Sequence, residues 1–199
     1  DNDGDGDIDL ADSDCACSTT SQTPIWVVDE DSDPGNLHLW SYVDYTNPNS
    51  GVDYGRLQYF DPSTSTIRDA GDAKDMEAMA VNTFTGIAYF LSTSSTNNGP
   101  SNAQALFKYN LNQANLNQGN IVLTLVGHLT RPNNIAMEAL AFDPVNNRFY
   151  SADPMDSDQG SSTSTDNLYF IDLSSLNANP LVASNAILVG PISGLGETN

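Results

Sequence analysis

Twelve residues at the start of the chain carry its clearest chemistry: Asp1-Asn2-Asp3-Gly4-Asp5-Gly6-Asp7-Ile8-Asp9-Leu10-Ala11-Asp12. Side-chain oxygens fall at loop positions 1, 3, 5, 9 and 12, and Gly6 stands where the backbone must turn sharply. Calcium is a hard cation that takes six to eight oxygens, and closely spaced carboxylates can wrap it from one short segment. Asp7 would add its backbone carbonyl, and Ile8 would point inward to anchor the loop. The expected ligands are therefore Asp1, Asp3, Asp5, Asp7, Asp9 and Asp12, holding Ca2+. A run of like charge is ordinarily a solvated tail. Glycine at position 6 and an apolar residue between the carboxylates set this loop apart from one.

An EF-hand loop asks for Glu at position 12, where this chain has Asp12. The Asp-rich spacing instead resembles the calcium loops of thrombospondin type 3 repeats and dockerins. Two other acidic clusters, Asp153/Asp156/Asp158 and Asp29-Glu30-Asp31-Ser32-Asp33, offer carboxylates without the glycine-centred turn, and read as solvated loops. Cys15 and Cys17 follow the first loop as a Cys-x-Cys pair. Bonding to each other would close a very small, strained ring. A zinc site lacks four suitably spaced ligands, since His38 and His128 are isolated. Disulfides to a preceding segment or a second chain are the favoured reading, and two free thiols the plain alternative.

Charge narrows the partners. The chain has 26 acidic and six basic residues, for a formal charge of -20. That balance excludes nucleic acid, whose phosphates must be met by Lys and Arg, and disfavours anionic membrane surfaces. Divalent cations would relieve the self-repulsion and make folding sensitive to them. No stretch approaches the ~20 apolar residues of a membrane-spanning helix. Lysine occurs only as Lys74 and Lys108 against abundant Asn, Ser and Thr, which with the calcium loop points to an extracellular or cell-surface location. Asp1 reads as a processed or truncated start.

The elements that must carry these residues repeat. Met76-Glu77-Ala78-Met79-Ala80-Val81-Asn82 recurs 61 residues later as Met137-Glu138-Ala139-Leu140-Ala141-Phe142-Asp143. Thr85-Gly86 then aligns with Asn146-Asn147, and Tyr89 with Tyr150. Further along, Leu106-Phe107-Lys108-Tyr109-Asn110-Leu111 matches Leu168-Tyr169-Phe170-Ile171-Asp172-Leu173, and Leu125-Val126-Gly127 matches Leu188-Val189-Gly190. Each unit holds four short apolar runs bounded by turn residues, which read as strands. An earlier, partial unit contains Ile25–Asp29 as its second strand, Leu57–Pro62 as its third and Thr66–Arg68 as its fourth. It lacks a first strand of the Met-Glu-Ala type, and the run Leu37–Val43 has no place in the template.

Four-stranded units repeating along a chain are the mark of β-propeller blades. Residues Met137–Pro144 with Leu168–Asp172 resemble the blades of bacterial extracellular β-propeller domains, a resemblance that implies the fold and no activity. The expected fold is all-β: a propeller-like array of four-stranded antiparallel blades, two full and one partial, behind the calcium loop. The loop with its Cys-x-Cys occupies 1–17 and a linker 18–24. The β-body fills 25–199, with a partial blade at 25–71 and blades at about 75–127 and 136–190.

Glu77 and Glu138 hold equivalent positions at the start of the innermost strand of each full unit. Converging carboxylates could bind a cation or act as an acid/base pair. Their recurrence instead predicts a structural device, each mostly buried and accepting backbone hydrogen bonds that fix a blade's register. No catalytic residues are assigned: no serine lies in Gly-x-Ser-x-Gly, and His128 reads as a turn residue after a last strand. A calcium-dependent hydrolase of the phytase-like propeller kind would need a dense basic cluster to grip phosphate, against six basic residues here. Trp26, Trp40, Tyr42, Tyr45 and Tyr54 crowd the partial unit, where they form core or stack on a glycan. The leading expectation is a structural or adhesive protein that self-associates head to tail into a filament or lattice, Cys15 or Cys17 locking the junction. A carbohydrate-binding module or hydrolase is the alternative.

Overall fold

β-branched and aromatic runs, cut by Asn, Asp, Gly and Pro, become an all-β structure. The computed structural model describes residues 24–30, 37–42, 44, 47–73, 76, 78–96, 98–113, 119–152, 167–177, 179 and 181–192. The strands are β1 (Ile25–Glu30), β2 (Leu37–Tyr42), β3 (Gly51–Asp61), β4 (Thr66–Asp69), β5 (Ala78–Asn82), β6 (Ile87–Leu91) and β7 (Ala103–Asn110). They continue as β8 (Asn120–Thr130), β9 (Ala139–Asp143), β10 (Arg148–Ala152), β11 (Asn167–Ile171), β12 (Ala183–Ser184) and β13 (Ile187–Pro191). Among the described residues the only helical pieces are short 3-10 turns.

The sequence repeat is visible in the pairing. Strands β5 to β8 run as an antiparallel meander, and β9, β10, β11 and β13 form a second one in a separate four-stranded sheet. Both contain a β-bulge at the same place, between Leu106 and Phe107 in one and between Leu168 and Tyr169 in the other. The unpaired residue is Val126 in the first and Val189 in the second, each followed by a glycine, Gly127 or Gly190, that pairs with the leucine. The first hairpins match as well. Gly86 and Asn147 both take left-handed backbone, with φ of 67° and 52°, as the tight reversal requires.

The first unit departs from the template. The unplaced run around Leu37 is β2, which pairs antiparallel with β1 on one side and β3 on the other. Ile25–Glu30 therefore meets β2 rather than the Leu57 strand. β3 is long enough to carry β2 along residues 51–56 and β4 along 58–61, end to end on one edge. Its other edge is taken by β8, in parallel, from Arg56↔Asn120 to Tyr59↔Leu123. The first and second units thus share one nine-stranded sheet, eight strands their own and the ninth the short β12 of the third unit on β8.

That sheet curls around its own core in a barrel-like manner. Every strand on its main path contributes: Leu37, Leu39, Leu57 and Tyr59, then Ile121 and Leu123, then Phe107, Phe90 and Ala88, flanked by Trp26, Val28, Met79 and Val81. Tyr59 and Phe107 meet at the centre with ring centroids 5.1 Å apart. A second core lies between the two meanders, where Ala78, Ala80, Tyr89, Leu91 and Leu106 face Met137, Phe149, Tyr169 and Ile171. The middle meander is buried on both faces. Ile87-Ala88-Tyr89-Phe90-Leu91 is accordingly apolar throughout, with Ala88 and Phe90 turned to the first core and Tyr89 and Leu91 to the second.

Candidate functional site

The loop Asp1–Asp12, with its six proposed ligands Asp1, Asp3, Asp5, Asp7, Asp9 and Asp12, lies outside the described residues. So do Cys15, Cys17, Asp31, Asp33, Tyr45, Glu77, Asp153, Asp156 and Asp158. Among the described residues no cluster of three or more His, Cys, Asp or Glu is close enough to hold a metal ion. Also among them, no helix is long and apolar enough to cross a membrane.

Glu138 corrects one expectation. It is exposed, and its backbone N–H donates to the Ala152 carbonyl at 3.2 Å. The device that fixes the entry of the last meander is Gln104, fully buried in β7. Its Nε2 donates to the carbonyls of Met137 at 2.8 Å and Ser92 at 2.9 Å, while its Oε1 accepts the Met137 N–H at 2.8 Å. Met137 is itself buried, so both its peptide groups need partners. An amide supplies donor and acceptor together, whereas an ionised carboxylate only accepts. The sequence signal was a lone polar residue in the apolar run Ala103-Gln104-Ala105.

His128 is a second correction. It lies in β8 rather than a turn and is 1% exposed. Cross-strand pairing with Ala105 and Ala183 holds its backbone, which explains why it cannot sit in a reversal. Its Nε2 accepts from the Thr96 N–H at 3.3 Å, with the Thr96 hydroxyl at the same distance. Gly99 lies against the ring, since a Cβ there would fall 2.7 Å from Nε2. This imidazole anchors the loop between β6 and β7.

The outer face of the first unit gathers its polar chemistry. His38 Nδ1 contacts Asp53 Oδ2 at 2.9 Å, and Asp53 Oδ1 accepts the Gly55 N–H at 2.8 Å. Arg56 pairs with Asp69 at 3.0 Å, and Gln58 donates to the same carboxylate at 3.1 Å. Both ion pairs are partly exposed, so they orient side chains more than they stabilise the fold. Trp26 and Tyr54 meet with ring centroids 4.9 Å apart, tilted by 48°, and pack partly buried on the first core. Beside Gln58, Phe60 and Pro62 form an apolar groove of about 360 Å³ with Val122 to Leu125 of β8.

Aspartate or asparagine side chains close turns in all three units. Burial works against the charge of Asp61, yet hydrogen bonds from the Ser63 hydroxyl and amide, from Thr64, and the Arg68 charge hold its carboxyl below the usual range. Asn146 pulls Asp143 down, aided by the Val145 amide, and the Ser174 hydroxyl and amide pull down Asp172. Burial raises the Tyr89 phenol. Asn82, the counterpart of Asp143, accepts from the Phe84 and Thr85 amides and donates from Nδ2 to Asn147 Oδ1 at 3.2 Å. No protein-family model matches the chain, and no curated protein matches it.

Proposed function

We propose that this chain is an extracellular, calcium-stabilised structural or adhesive protein, a propeller-like array that self-associates into a surface filament or lattice. The observation that carries this reading is the repeat: the second and third units lie face against face, their strands and bulges in the same order. Such an array is a spacer and a scaffold, and the reading gives the chain no catalytic role. The acidic loop from Asp1 to Asp12 supplies the calcium dependence, and a chain of charge -20 gains most from a bound cation.

Calorimetry with calcium tests this reading. Uptake by the wild-type chain, lost on Asp1→Ala plus Asp5→Ala, is expected, with the N-terminal segment loosening on chelation before the β-body melts. Absence of that uptake would overturn the calcium reading. Light scattering with calcium tests assembly, which a monodisperse monomer at micromolar concentration would overturn.

A further inference from the structure

The units stack with one polarity, and a single motif position reports it. Leu57, Leu106 and Leu168 open the same Leu-x-x-x-Asx strand motif in units one, two and three. Leu57 is fully buried in the core shared with unit two, and Leu106 is 1% exposed in the core shared with unit three. The alternate residues of this motif point the other way, as Phe107 does toward unit one and Tyr169 toward unit two. Each unit therefore has a leading face, turned to its predecessor, and a trailing face, turned to its successor.

Unit three keeps the trailing face, and among the described residues nothing covers it. In unit two that face is Ala78, Ala80 and Tyr89, 7, 8 and 8% exposed beneath unit three. The equivalents Ala139 and Ala141 are exposed, while Tyr150 and Leu168 are half-buried. Phe170, joined in register to Tyr150 and Ile187, extends the apolar surface, with the Arg148 guanidinium over its ring at 5.0 Å. On β13, Ile187, which pairs with Phe170, and Val189 are 43 and 53% exposed. At the opposite end, the leading face of unit one is the outer face described above. It carries Ile25, Val27 and Phe60, all exposed, and continues across the ladder onto exposed Val122 of β8 beside the apolar groove.

The geometry points to a second copy of this chain as the occupant: the trailing face of unit three seats on the leading face of unit one of the next copy. This rests on the assembly reading and names its two surfaces. The contact repeats the seam already made inside the chain, in which an Ala-x-Ala and Tyr face receives an aromatic one. Two different patches meet, so the contact is heterologous and continues into a ring or an open filament.

The test uses the whole chain with calcium in sedimentation velocity. Ala141→Arg blocks the trailing face and Phe60→Asp the leading one, and both positions are exposed, so folding is checked simply by circular dichroism. Each variant alone is expected to associate at least about tenfold more weakly than wild type, because each puts an unpaired charge in the contact. Mixing the two restores one intact junction and gives a discrete heterodimer that stops there. Association of wild type that neither substitution weakens would overturn the face assignment and leave the assembly reading standing. Full association of Phe60→Asp alone would overturn it in favour of a symmetric contact between trailing faces. A monomeric wild type would sink both, leaving the face to a different protein or to this chain's own acidic segment.

Discussion

Between units one and two, β3 and β8 share a parallel ladder, and one barrel-like sheet encloses the core. Between units two and three, two separate sheets meet through side chains, with Tyr89 against Phe149 at 4.5 Å and Phe142 against Phe149 at 5.1 Å. The polar ties across that second seam are few and specific: the Gln104 amide on Met137, Asn82 on Asn147, and the two-residue pairing of β12 with β8. A ladder couples units into one cooperative body, whereas a face contact can be repeated by any unit with the same surface. The first seam is thus the keystone of the fold, and the second is the pattern for adding units.

The largest effect should come from breaking the first seam. Phe107 is fully buried in the core that seven strands share. Phe107→Ala is expected to cost about 3–5 kcal/mol, from lost burial and the cavity left behind. Denaturant unfolding would show the loss, and hydrogen exchange should rise in β1 to β8 together. Protection persisting in β1 to β3 would mean that the two units are not one cooperative body.

Gln104→Leu strikes the second seam. It strands the Met137 N–H and the Met137 and Ser92 carbonyls without side-chain partners, at about 1–3 kcal/mol for a buried unsatisfied group. The four-stranded sheet should then exchange faster while β3 and β8 stay protected. Equal loosening of both sheets would erase the contrast between the seams.

How far these seams could be read from sequence differs in the same way. The repeat showed the two meanders because strand and turn are local, written in Ala-x-Ala, Asp143-Pro144 and Leu-x-x-x-Asx. The β3–β8 ladder was not legible, because it joins residues about 64 apart and nothing local specifies a parallel partner. The same blindness left β2 unplaced. Glu138 misled because recurrence marked the position rather than the side chain, while Gln104 was visible only as a polar interruption. The acidic segment Asp1–Asp12, expected from sequence to bind calcium, was the plainest motif, and it lies outside the described residues.

A smaller effect is expected at Asp61, at the far end of β3. Its carboxyl sits below the ordinary value of 3.8, so the folded state binds its proton less readily than the unfolded chain. Its contribution is complete above the unfolded value and is lost as pH falls through the folded one. Asp61→Asn should cost about 1–2 kcal/mol at neutral pH, as a hydrogen-bonded charge with Arg68 alongside is removed. It should also flatten the acid limb of a stability profile measured by urea unfolding below pH 4. An unchanged acid limb would assign that limb to Asp143, Asp172 and the other carboxylates.

The smallest effect concerns Asn147, which joins a turn requirement to a seam contact. Its φ of 52° is left-handed, a conformation that glycine adopts freely and asparagine tolerates. Asn147→Gly would therefore ease the backbone, as Gly86 does at the equivalent turn, while deleting the hydrogen bond from Asn82 across the seam. The two terms oppose, each below about 1 kcal/mol, so the net change in stability should stay within about 0.5 kcal/mol. A double-mutant cycle separates them, because Asn82→Ala should cost less in the Asn147→Gly background than in wild type. Asn82 also caps its own turn through the Phe84 and Thr85 amides, so most of its cost remains in both backgrounds. A coupling of zero would show that this hydrogen bond adds nothing to the seam, leaving it to the Gln104 amide, the β12–β8 pairing and the apolar faces that a new partner could also meet.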